Sequence, residues 1–165
     1  MGIQSGMGIF FSLMAVGLIG SRLFAGKLVD RGKLIHVIGY GTIVCLVGFV
    51  TLSGLKKIGV YNPSLVEGLF YFIAIVLGTG YGMIFPAYNT LFVNLAQNNR
   101  RATASSTYLT SWDLGVGTGL ILGGILADSP RGLPLAYLVG AMASGISFLF
   151  FRRIAGPHFD RNKLR

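Results

Sequence analysis

Five apolar stretches, each about as long as a bilayer is thick, constrain this chain more than any other feature. A helix needs about 20 mostly apolar residues to cross ~30 Å of hydrocarbon, and the windows 3–25, 34–55, 69–96, 103–127 and 133–151 meet that length. The third is long enough to tilt or to project beyond the bilayer. The connections are short: a charged, glycine-bearing hinge within 20–33, then 56–68 with Asn62-Pro63, 97–101 and 128–132. No soluble domain fits between them. The expected fold is an all-α polytopic membrane helix bundle of five transmembrane helices over 1–155, followed by a basic tail over 156–165.

Composition agrees with a bilayer location. Hydrophobic residues make up 53% of the chain, charged residues 12%, and the mean hydropathy is +0.69, which leaves too little polar surface to clothe a soluble domain. The net charge of +9 would suggest nucleic acid in a soluble protein. Here the basic residues fall between apolar runs and at the carboxyl end, with no aromatic-basic groove or reader motif, so no nucleic-acid partner is expected. Arg22, Lys27, Arg31, Lys33, Arg100, Arg101 and the five basic residues Arg152, Arg153, Arg161, Lys163 and Arg165 fall on one side by alternation, 11 of the 14 in the chain. The positive-inside rule makes that side cytoplasmic, with the N-terminus outside and the C-terminus inside. The first run lacks the basic start and cleavage site of a signal peptide and is taken as a retained span.

Several chemistries find no support in these residues. Cys45 lies inside an apolar run and reads as a small packed hydrophobe rather than part of a disulfide or metal framework. Neither His36 nor His158 has a second ligand at metal spacing, so no metal is expected. No Ser-His-Asp arrangement, paired catalytic carboxylates or nucleotide site stands out. The chain is therefore not expected to be an enzyme or to hold a cofactor.

The stretch 20–33 packs charge and glycine between two apolar runs. Gly20 and Gly26 let helix ends approach, Asp30 and Arg31 can pair locally, and four basic residues cluster at one membrane face. The pattern Gly26-x-Leu28-x-Asp30-Arg31-Gly32-Lys33 resembles the signature loop of the major facilitator superfamily of transporters, one residue shorter between the Asp-Arg pair and the following glycine. In that family the loop joins the second and third helices of each six-helix half. The uncharged run 69–82 lacks the arginine that the fourth helix of the first half usually carries. The resemblance therefore aligns the five spans with helices eight to twelve, the C-terminal part of such a transporter, and places helix seven and the N-terminal half outside these 165 residues. By resemblance, Gly26, Asp30, Arg31 and Lys33 form a gating loop whose acidic residue meets the start of a helix in the opposite half, a carboxylate at a positive helix end. The local alternative for Asp30 is solvated pairing with Arg31 or Lys33, which contributes little.

Asp113 is the one acidic residue deep inside a predicted span, about nine residues or ~13 Å into the fourth. A buried intramembrane carboxylate is costly and points to function. Arg22, at a comparable depth in the first span, is its expected partner, either as a gating or proton-responsive pair or as a static bridge. Beside Asp113, small residues recur every four positions at Gly115, Gly119 and Gly123, with Gly124 adjacent, and predict close helix packing. This resembles the glycine-rich fifth helix of antiporters in the superfamily, without its customary proline. Trp112 reads as a packing residue.

In the third span Tyr81, Phe85, Tyr88, Asn89 and Phe92 are spaced to share one face. Rings with one amide suit an apolar or cationic solute through stacking, cation-π contact and a hydrogen bond. The matching family helix lines the central cavity. The alternative is that this face packs on neighbouring helices, with Asn89 bonded across an interface. Pro86 is expected to kink the helix and Gly78, Gly80 and Gly82 to loosen it.

The resemblance implies transport of a small organic solute by alternating access, as proton-coupled efflux across the plasma (inner) membrane. The implied partners are the bilayer, a solute, protons and the N-terminal half of the carrier; the chain alone is not expected to transport. The alternative is a non-transporting membrane protein, either a truncated remnant or a half-carrier module with a separately encoded partner.

Overall fold

The computed structural model describes residues 6–61 and 63–164. Predicted features at 3–5, at Asn62 and at Arg165 lie outside the described residues. The helices are α1 (Met7–Asp30), α2 (Leu34–Tyr61), α3 (Pro63–Leu95), α4 (Arg101–Ala127), α5 (Leu133–Phe150) and α6 (Gly156–Asn162). A 3-10 turn, Asn98–Arg100, precedes α4, and a π-helical turn, Phe151–Ala155, joins α5 to α6. Five of these segments are long and apolar enough to cross a membrane. The 24 residues of α1 rise about 36 Å at 1.5 Å each, more than the hydrocarbon thickness.

The helices overrun the predicted windows. Residues 20–30, expected to belong to a hinge, continue α1, and the connection to α2 is reduced to Arg31, Gly32 and Lys33. The reason is a cap. Gly32 takes φ +76, Gly32 N donates to the Val29 carbonyl at 2.9 Å and Lys33 N donates to the Leu28 carbonyl at 3.0 Å. This pair of bonds is a Schellman motif, which satisfies the last carbonyls of α1 and turns the chain within three residues. Likewise the expected 56–68 connection is mostly helix, since α2 runs to Tyr61 and α3 begins at Pro63.

α3 is central. It packs against α1, α2 and α4; α5 packs on α2 and touches α4. Two apolar clusters hold the bundle, one near each end. At the end bearing the α1–α2 turn, Ala25, Val37, Ile38, Ala87, Phe151 and Phe159 are buried together. At the other end, Leu52, Leu55, Ile73 and Leu77 do the same, with Phe10, Phe70 and Tyr137 packed alongside. The expected tail is therefore partly structural: α6 lies back on the bundle, with Phe159 in the first cluster and the Leu164 amide donating to the Asn94 carbonyl at 3.0 Å.

With no apolar driving force between helices in lipid, close approach depends on small residues. The α1–α3 contact shows this. The buried residues of α1 are Gly17, Ser21 and Ala25, spaced by four. Opposite them, a Cβ on Gly78 would collide with the Met14 backbone and one on Gly82 with the Leu18 backbone and the Ser21 hydroxyl. Gly80 faces the other way, where a Cβ would lie 3.0 Å from the Gly41 carbonyl oxygen of α2 and would also press on buried Cys45. The glycines at 78, 80 and 82, expected to loosen α3, instead let it touch two helices at once. α3 runs through Pro86 as one helix.

Candidate functional site

α1, α3 and α4 converge around Phe85. The guanidinium carbon of Arg22 on α1 lies 5.7 Å from the Phe85 ring centroid. From α4, Trp112 meets Phe85 edge-on at 4.9 Å between centroids, and Tyr108 lies 5.6 Å from it. Tyr81 reaches Trp112 at 6.3 Å, and Phe92 reaches Tyr108 at 5.6 Å. Polar bonds fix the same seam: the Tyr108 hydroxyl donates to the Phe85 carbonyl at 2.9 Å, and the Ser105 hydroxyl donates to Asn89 Oδ1 at 2.8 Å. Asn89 is thus bonded across the α3–α4 contact, where Tyr108 is buried and Tyr81, Phe85, Phe92 and Trp112 are half-buried.

The expected aromatic face divides in two. Tyr81, Phe85, Asn89 and Phe92, spaced by 4, 4 and 3, meet α4. Tyr88 does not belong to that set. It packs edge-on against Phe151 at 5.6 Å, toward the π-helical turn.

Arg22 and Asp113 are both exposed, and no ion pair joins them among the described residues. With α4 starting at Arg101, Asp113 stands about 18 Å into its helix. Arg22 lies over Phe85 of the Phe85–Trp112 contact, whereas Asp113, next to Trp112 in the chain, is turned about 100° away from it on the helix and is exposed. The structure therefore brings Arg22, and not Asp113, onto the aromatic cluster. Asp30, Arg31 and Lys33 are exposed at the α1–α2 turn without an ion pair among the described residues, and Gly26 has open space where a Cβ would be.

The glycine stripe of α4 meets no other element among the described residues. Gly115, Gly119, Gly123 and Gly124 each have nothing within 4 Å of a built Cβ. Around them Leu120, Ile121 and Ile125 are exposed at 73%, 67% and 64%, and Tyr108 is the buried residue of the helix. Among the described residues, close packing through glycine occurs at α1–α3. The 17–21–25 spacing on α1 carried that signal in the sequence, as did Gly78 and Gly82 one turn apart. Ser105 and Tyr108, which complete the seam, had no distinguishing pattern.

This geometry, with five spanning helices and one charged aromatic cluster at an incompletely covered face, defines a polytopic membrane protein of the helix-bundle class. Comparison with known proteins narrows the class: the family model of the Major Facilitator Superfamily matches residues 4–164, and the chain belongs to that family of membrane transporters. Among curated proteins, it is 24% identical over 153 residues to the proton-coupled antiporter flippase LtaA of Staphylococcus haemolyticus (strain JCSC1435), covering 87% of this chain and 36% of that protein. It is 23% identical over 151 residues to LtaA of Staphylococcus aureus (strain MSSA476), covering 90% and 35%. The chain thus spans about a third of the length of these relatives. No solved structure matches it.

Proposed function

We propose that this chain forms the C-terminal part of a carrier that moves a small organic or amphipathic solute across the plasma (inner) membrane by alternating access, in exchange for protons. The observation that carries this reading is the Arg22–Phe85–Trp112 cluster on a face whose remaining surface is apolar, glycine-bearing and uncovered. A complementary helical half would close that face into a cavity lined by Tyr81, Phe85 and Asn89. Rings and an unpaired arginine at such a place suit a solute with an apolar body and a charged end. The relatives are named as proton-coupled antiporters and flippases, which supports both the proton and an amphipathic solute. Asp113 is the residue to bind the proton, since a carboxylate closed into the membrane interior is stabilised by neutralisation.

In this scheme Asp113 protonates when the cavity faces the proton-rich side and releases its proton on the other. Asp30 and Arg31 of the signature turn, together with Gly26 and Lys33, dock against the opposite half in one of the two states. Protonation or solute binding shifts the balance only through its different affinity for the two states. The N-terminus lies outside and the C-terminus in the cytoplasm under the positive-inside rule. The test is solute-driven collapse of an imposed pH gradient in vesicles containing the whole carrier, comparing wild type with Asp113→Asn. Loss of coupling with retained solute binding supports the scheme; unchanged rate and pH dependence in the variant contradict it.

A further inference from the structure

On the opposite flank from α1, a groove of about 630 Å³ runs between α2 and the α5–α6 junction, within the ~300–1,000 Å³ range of ligand pockets. Its walls are apolar, with Ile35, Gly39 and Ile43 on one side and Phe148 and Phe151 on the other. Its mouth is basic. Arg152 and Arg161 line it with His36, and the one carboxylate there, Asp160, is already bonded to Lys163 Nζ at 3.0 Å.

The π-helical turn builds this arrangement. Phe148, Arg152, Pro157 and Arg161 recur at steps of 4, 5 and 4, and the step of 5 spans Phe151–Ala155. An uninterrupted α-helix would carry Arg161 away from the line of Phe148 and Arg152. The wider π turn brings Arg161 back toward that line by about 100°, and such turns are frequent at functional sites. The groove also opens where lipid would be. Tyr40 on its α2 wall is 60% exposed, and beside it Val47, Ile146 and Phe150 are exposed at 53%, 67% and 57%. All belong to helices that span the bilayer.

We propose that this groove seats an anionic phospholipid of the surrounding bilayer, with its phosphate between Arg152 and Arg161 and one acyl chain lying along Ile35, Gly39, Ile43 and Phe148. An apolar trough ending in two arginines at the basic end of the bundle matches a lipid that is itself apolar with an anionic head. Basic pockets between spanning helices recognise such headgroups, and arginine binds phosphate bidentately. The site lies apart from the Phe85 cluster, and the proposal does not depend on transport.

Native mass spectrometry of the detergent-purified carrier that contains this chain, titrated with dioleoylphosphatidylglycerol or dioleoylphosphatidylcholine, tests it. The expected result is selective retention of phosphatidylglycerol, weakened about thirtyfold in Arg152→Gln/Arg161→Gln, about 1 kcal/mol for each arginine. Arg153→Gln, in the same basic run but outside the groove, retains it as wild type does. Glycerol 3-phosphate at millimolar concentration fails to displace the lipid, because the acyl seat contributes. Equal retention of the two lipids, undiminished binding in the double variant, an equal loss in Arg153→Gln, or displacement by glycerol 3-phosphate would each overturn it. Both arginines are exposed, and matching unfolding midpoints show that the variants are folded. Arg161→Gln alone, outside the apolar spans, gives an intermediate loss if the site is correct and none if it is not.

Discussion

The Arg22 guanidinium carbon sits 5.7 Å from the centroid of Phe85, so the arginine of α1 rests on the ring of α3 instead of pairing with Asp113 of α4. A cation over an aromatic face is worth about 0.5–1 kcal/mol where solvent reaches it, little enough to be exchanged for a solute or a carboxylate during a cycle. In the complete carrier, Arg22→Gln and Phe85→Leu should each lower transport by about two- to fivefold, equivalent to about 0.5–1 kcal/mol. Arg22→Lys should recover part of the loss. Initial rates in proteoliposomes check this; full activity in both variants would make the contact incidental.

Gly78 and Gly82 should be among the least replaceable residues of the bundle. Their neighbours are the Met14 and Leu18 backbones, which cannot move aside as a flexible side chain could. Gly78→Leu should cost about 3 kcal/mol by overpacking, read as a lower unfolding midpoint of the purified chain in mild detergent. Gly115→Ala, with open space around it, should be neutral or slightly stabilising in the same assay. In the assembled carrier the same alanine should weaken docking of the opposite half.

The Asn89–Ser105 bond, 2.8 Å long, should couple α3 to α4 by about 0.6 kcal/mol, the average for polar pairs between membrane helices. A double-mutant cycle with Asn89→Ala and Ser105→Ala measures it. Additive single effects would show that the two side chains act independently.

Gly32→Ala should destabilise the chain by about 1 kcal/mol, because φ +76 is strained for any residue with a Cβ. Hydrogen exchange confined to the α1–α2 turn should rise in this variant.

The spans were legible because hydropathy reports the surrounding solvent directly, and five apolar runs of sufficient length leave few alternatives. Their ends were less legible. Charged residues such as Arg22 and Lys27 look like loop chemistry, yet nothing prevents a helix from carrying them to the membrane face, and α1 continues through both. The signature pattern did contain its own structural explanation, since a glycine two residues after Asp30 is what a helix needs to end in a left-handed cap.

The site was half legible. Aromatic spacing put Phe85 and Asn89 on the side of α3 that meets α4 but included Tyr88, which packs on Phe151. Asp113 and Arg22 could be singled out by the cost of charge in lipid, but whether they touch depends on how α1 and α4 are set against α3, which spacing within one helix does not encode. Glycine was read as close packing on α4 and as looseness on α3. The positions of neighbouring helices overturn the reading for α3, which is flanked on two sides, while the α4 stripe faces open space among the described residues.

That uncovered stripe makes the size of the functional unit the central question. Blotting native membranes, resolved under denaturing conditions and in parallel on a native gel, with an antibody against 156–165 measures it. Two six-span halves require a polypeptide roughly 12/5 of 17.6 kDa, about 42 kDa, or a 17.6 kDa band held in a complex with a second multispan protein. A 17.6 kDa species migrating alone in mild detergent would contradict the account, because the α1 and α4 faces would then have no complementary half to close the cavity.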